Sequence, residues 1–171
     1  HLWAISRYYD YTGNDTMRRY ANQIRSQNIE KKRGKRPSLL LSEIEGIKRE
    51  HIDGLANAGI TNVKQLLEAG HTHNSRLALS EGTGIPYDVI VALVKLADLC
   101  RISDIKGMRV RLLFETGFDT IEKIAVQDPS AMRDQIISIN QREKIAAHHP
   151  TLIETKFWVE QAKKLPKLVE Y

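Results

Sequence analysis

The stretch SEIEGIKREHIDGLANAGITNVKQLLEAG, Ser42 to Gly70, reads as a helical unit cut at fixed places. Ile44 and Ile47 bracket Gly46, the basic pair Lys48-Arg49 follows, and Ile52 and Leu55 then share one helical face. Gly59 stands where a left-handed helix cap belongs, so a positive φ is expected there. Thr61 or Asn62 is suited to cap the next short helix.

The unit occurs twice. At an offset of 58 residues Leu41 meets Leu99, Ile44 meets Ile102, Ile47 meets Ile105, Lys48 meets Lys106 and Ile52 meets Val110. Without a gap, Leu55 then meets Leu113, Gly59 meets Gly117, Ile60 meets Phe118, Val63 meets Ile121 and Leu66 meets Ile124. A run of apolar matches with a glycine and a lysine in register is an internal repeat. Each copy reads as helix, tight turn, helix, stop, helix. In the second copy Asp119 and Glu122 stand at capping-box spacing.

Between the copies, RLALSEGTGIPYDVIVALVKLADL reads as a helix, a turn at Gly82 to Ile85, and a helix from Pro86. Asp128-Pro129 opens another helix, SINQREKI follows, and a last helix runs near Leu152 to Leu165 before Pro166. No segment alternates with period two, so the expected fold class is all-α.

The charge is uneven. Of the net +5, residues 1–38 carry +6, with nine Lys/Arg against Asp10, Asp15 and Glu30, and the remaining 133 residues carry −1. The basic character centres on Lys31, Lys32, Arg33, Lys35 and Arg36. The single cysteine, Cys100, fits a reducing compartment and hence a cytoplasmic location. No apolar run approaches the roughly 18 residues of a membrane span. A chain that starts at His1 is read as a fragment of a longer protein or a processed one.

Helix, glycine-containing turn, helix is similar to the helix-hairpin-helix motif. From about Leu39 to Tyr171 the chain resembles an uncharacterised bacterial and archaeal domain family built from tandem helix-hairpin-helix repeats. The likeness rests on LSEIEGI…GLANAGITNVKQLL, TGIPYDVIVALVKLADLCRI, LLFETGFDTIEKIA and WVEQAKKLPKLVEY. It implies four hairpins in two SAM-like pairs, divided at 39–98 and 99–171, behind a basic helical segment over 1–38. A short helical region, a basic linker and then LLLSEIEGI loosely resembles the end of superfamily-two DNA-repair helicases.

A nucleic-acid-binding hairpin presents turn N–H groups and a helix N-terminus to a phosphate oxygen, with a nearby cation adding attraction. The first turn offers Gly46, Ile47, Lys48 and Arg49 between Glu45 and Glu50. The third, Ile102 to Gly107, aligns Asp104 with the first glycine and adds Lys106, Gly107, Arg109 and Arg111. The Gly82–Ile85 turn keeps its glycines without an adjacent cation, and a fourth, read at Ile139 to Glu143, has no glycine. The expectation is a non-enzymatic accessory module that contacts nucleic-acid backbone, DNA in preference to RNA. The alternative is a protein-interaction scaffold.

No P-loop or dinucleotide fingerprint is present, and no cofactor or metal is expected. His71-Thr72-His73 and His148-His149 lack a Cys or a carboxylate at ligand spacing. Cys100 aligns with Ser42 at a helix end and reads as packing. Trp3, Tyr8, Tyr9 and Tyr11 form an aromatic cluster suited to docking or to base stacking.

Overall fold

A computed structural model describes residues 2–33 and 38–171, with the side chains of residues 2, 3 and 25–33 excluded. Among these the chain forms ten α-helices and no strand. It divides into two compact units, His1–Pro37 and Ser38–Tyr171.

The first unit is a helical hairpin of α1 (Leu2–Tyr11) and α2 (Asp15–Arg33). Gly13, at φ +68°, makes the reversal, and Asn14 Oδ1 accepts from Met17 N at the start of α2. Ser6 Oγ donates to Asn22 Oδ1 at 2.9 Å and ties the two helices together.

The second unit holds α3 (Arg49–Asn57), α4 (Val63–Gly70), α5 (His73–Thr83), α6 (Tyr87–Leu99), α7 (Met108–Glu115), α8 (Ile121–Ala125), α9 (Pro129–Glu143) and α10 (Leu152–Lys164). The offset of 58 is written into its hydrogen bonds. Ile60 N donates to Leu55 O and Phe118 N to Leu113 O, both at 2.9 Å. His51 N to Lys48 O and Arg109 N to Lys106 O are equivalent at 3.1 Å. Asn62 caps α4 by accepting from Gln65 N, and Thr120 caps α8 by accepting from Lys123 N. Gly59 and Gly117, at φ +80° and +90°, take the cap conformation expected of them.

Burial follows the same register. Leu41, Leu55 and Leu66 are 0% exposed, and so are Leu99, Leu113 and Ile124. All six belong to one core cluster that runs from Leu41 to Val169 across both copies. Fully burying such a side chain contributes roughly 1.5–3 kcal/mol, so the repeated apolar positions are what fix the repeated turns. Among the described residues no single helix is long and apolar enough to cross a membrane. The most apolar, α6, buries Ile90, Leu93, Val94, Ala97 and Leu99 in this core.

Four local readings are corrected. The helix expected before the first turn is a three-residue 3-10 turn, Leu41–Glu43, because Leu40 pairs with Asn62 in an antiparallel bridge. Thr120, not Asp119, caps α8; Asp119 is drawn into ion pairs with Lys95 and Lys123. Gly82 lies inside α5, and Gly84 at φ +70° makes its cap. The fourth turn is not at Ile139–Glu143, which closes α9, but begins at Lys144, φ +52°.

Beyond α10 the C-terminal residues run back along the unit. Arg101 Nη2 donates to Pro166 O at 2.6 Å, Glu170 N donates to His71 O at 2.9 Å, and Val169 is buried.

Candidate nucleic-acid interface

The first turn forms because Ile44 is drawn into the core while Gly46, at φ +93°, reverses the chain. Ile47 is half-buried, and Lys48 opens α3 with no side-chain cap. The first N–H groups of α3 are therefore left without a side-chain acceptor, as are those of α7, which opens at Gly107. The helices that follow the stops, α4 and α8, are capped by Asn62 and Thr120.

In the second copy Asp104 adopts φ +69° at the position of Gly46, so the turn survives without its glycine. Aspartate is among the few residues that visit this region readily. Ile105 is fully buried, and Lys106 is exposed at the position equivalent to Lys48. Gly107 sits one residue later, at φ +54°.

The turns meet through Arg111 of α7. A Cβ on Gly46 would lie 3.0 Å from Arg111 Cδ, so the glycine gives the arginine stem room to cross it. A cleft of about 310 Å³ opens beside this contact, with Lys48, His51 and Arg111 facing Glu45, Asp88 and Glu115 on its walls. Its two formal cations face three carboxylates.

The cations are mostly paired. Lys48 Nζ lies 3.6 Å from Glu50, and Arg49 Nε lies 3.1 Å from Asp53. The Lys48 and Arg49 side chains are 74% and 82% exposed, so these are solvent-screened pairs. Arg109 Nη2 donates to Glu154 Oε1 at 2.6 Å and Nη1 to Asp104 O at 3.3 Å. The Thr151 backbone N–H holds the Glu154 carboxyl below its usual range, against a smaller effect of burial, with the Thr151 hydroxyl and Arg109 assisting. Lys35 and Arg36 lie outside the described residues, as do the side chains of Lys31, Lys32 and Arg33.

Burial pushes the Cys100 thiol up to about 12, and its Sγ donates to Leu96 O at 3.2 Å. It is a protonated packing group at neutral pH. His71 Nδ1 pairs with Glu68 O, His73 Nδ1 with the Tyr87 hydroxyl and His149 Nδ1 with the Asn140 amide. Tyr8 and Tyr9 meet edge to face at 5.4 Å, and Tyr8 and Tyr11 remain exposed.

The sequence reading missed a second constellation. Asp98 is 1% exposed and binds Arg101 at 2.6 Å, with the Tyr171 hydroxyl 3.4 Å away. Burial raises the Asp98 carboxyl, which Arg101 partly offsets. Asp98 and the neighbouring Lys95 interrupt an apolar helix, VALVKLADL, and that interruption was the available signal.

The family described as Domain of unknown function (DUF4332) matches residues 45–165, a span that contains the second copy whole and the first from Glu45 onward. The chain belongs to this family. The DUF4332 span leaves out the helical hairpin of the first unit and the C-terminal residues that run back over α4 and α5. Neither curated proteins nor solved structures give a match.

Proposed function

We propose that the DUF4332 domain is a non-catalytic tandem helix-hairpin-helix module that contacts nucleic-acid backbone, DNA in preference to RNA, as an accessory part of a larger DNA-processing protein. The observation that carries this reading is the equivalence of Lys48 and Lys106. Each lies at the entry to a helix whose N-terminus has no side-chain cap, in turns that share two equivalent backbone hydrogen bonds. Free N–H groups, a positive helix end and an adjacent cation are what a phosphate oxygen requires. The ion pairs at Lys48 and Arg49 do not oppose this, because exposed pairs contribute only about 0–1 kcal/mol and exchange readily for phosphate. The basic run at Lys31, Lys32, Arg33, Lys35 and Arg36 supplies further non-specific attraction.

A second reading, a protein-interaction scaffold, is favoured by the pairing of Arg109 with Glu154 and by the carboxylate-rich cleft beside Gly46.

Fluorescence anisotropy with a labelled duplex at several salt concentrations separates the two. On the nucleic-acid reading, Lys48→Ala with Arg49→Ala weakens binding equally for unrelated sequences, since phosphate contacts carry no sequence information. Deleting residues 31–36 flattens the dependence of log affinity on log salt by about 0.9 for each phosphate no longer neutralised. No binding by the intact chain at low salt supports the scaffold reading instead.

A further inference from the structure

Away from the turns, a cavity of about 560 Å³ opens between α5, α6 and the C-terminal residues. That is a size typical of small-ligand sites. His73, Arg76, Tyr87, Lys95, Glu170 and Tyr171 line it.

Arg76 is 3% exposed, yet no carboxylate among the described residues pairs with it. Its Nη1 donates to Gly70 O at 2.9 Å and its Nη2 to Glu170 O at 2.6 Å. Its Nε is buried without an acceptor. Carbonyls satisfy N–H groups but do not cancel a charge, and buried charges are ordinarily paired.

Lys95 is also only partly neutralised. Its Nζ reaches Asp119 Oδ2 at 2.6 Å, but Asp119 is shared with Lys123. Burial is the largest single influence on the Asp119 carboxyl and raises it, but the hydrogen bonds and charges of both lysines together hold it below its usual range, so it stays a single negative charge between two positive ones. Arg76 Cζ and Lys95 Nζ lie 5.9 and 5.6 Å from the Tyr171 ring centroid. His73 and Tyr87 form an edge-to-face pair at 5.4 Å, and the Tyr87 hydroxyl engages His73 Nδ1. The His73 ring keeps its other nitrogen for another partner. Glu170 is the carboxylate lining the site and opposes an anion there, as does Glu122, whose charge reaches Tyr171; Asp98 faces the Tyr171 hydroxyl but is paired with Arg101.

We propose that this pocket binds a small aromatic phosphate, with the phosphate drawn to Lys95 and Arg76 and the ring held among Tyr87, His73 and Tyr171. Two incompletely balanced cations favour a dianionic head over a carboxylate, and lysine serves well as a point charge for phosphate. The aromatic walls give a flat ring more to hold than a bare ion has. The site shares no residue with the turns at Gly46 and Asp104, so it stands or falls independently of the nucleic-acid reading.

The test is a titration of the isotopically labelled full chain, followed by amide chemical shifts, with inorganic phosphate and separately with phenyl phosphate. Expected are saturable shifts at residues 73, 76, 87, 95, 170 and 171, with phenyl phosphate binding about tenfold tighter than inorganic phosphate. Lys95→Met keeps the aliphatic stem and weakens both probes about tenfold or more. Glu170→Gln, an exposed change that keeps the fold, tightens both several-fold and carries the test should Lys95→Met fail to fold. Absence of saturable shifts at these residues, equal affinity for the two probes, or a Glu170→Gln affinity no higher than the native chain overturns the proposal.

Discussion

Asp104 holds φ +69° where the first copy has Gly46 at +93°, so one backbone shape is met by two chemistries. The glycine meets it without strain and leaves space for Arg111; the aspartate meets it at some backbone cost. Asp104→Gly relieves that cost, with an expected change between neutral and about 1 kcal/mol of stabilisation in urea unfolding. The same variant removes a carboxylate beside Lys106 and tightens duplex binding on the nucleic-acid reading. Gly117 gives the contrasting case. At φ +90° with nothing within 4 Å of an added Cβ, it resists substitution through its backbone alone. Gly117→Val is expected to lower stability by about 1–3 kcal/mol. An unchanged unfolding midpoint would show that the cap does not need its glycine.

At the scale of elements, the copies were legible because their apolar positions, their cap glycines and the Lys48–Lys106 pair lie in one register. The fourth turn was not. Buried Asn140 closes it: Asn140 Oδ1 accepts from Ala146 N at 2.8 Å and Nδ2 donates to Ala146 O at 2.9 Å. Nothing in SINQREKI distinguishes a surface asparagine from one whose side chain closes the following turn. The entry to α10 was legible, expected near Leu152 and found there, but its tie to the second copy was not. Thr151 and Glu154 cap each other, and Arg109, 45 residues upstream, adds its guanidinium. Glu154 has its folded-state pKa lowered. Its contribution is therefore fully present above the ordinary carboxylate pKa of about 4.3 and is lost as pH falls through the lower folded value. The stability of Glu154→Gln should fall short of the native chain at neutral pH, and the gap should narrow in acid. A gap that is constant with pH would mean that the charge of Glu154 has no part in it.

Across the whole molecule, charge rather than fold determines what the turns can do. Composition located the basic run in residues 1–38 and near-neutrality after it. It gave no sign that Arg109 is tied to Glu154 or that Arg111 crosses Gly46, because these contacts join the two copies or join α7 to α10. The positions of Lys48 and Lys106 were readable from the repeat, whereas their surroundings depend on helices brought in from elsewhere in the chain. The C-terminal pocket depends on longer reach still, with Arg76 meeting Glu170 across 94 residues. The proposed nucleic-acid reading holds that both equivalent turns contact phosphate backbone. It is tested most directly by titrating the labelled chain with a short duplex at low salt and following the amide shifts. The account predicts concerted shifts at residues 46–50 and 104–110, independent of duplex sequence and removed by added salt. Shifts confined to other residues, or none at either turn, would contradict it.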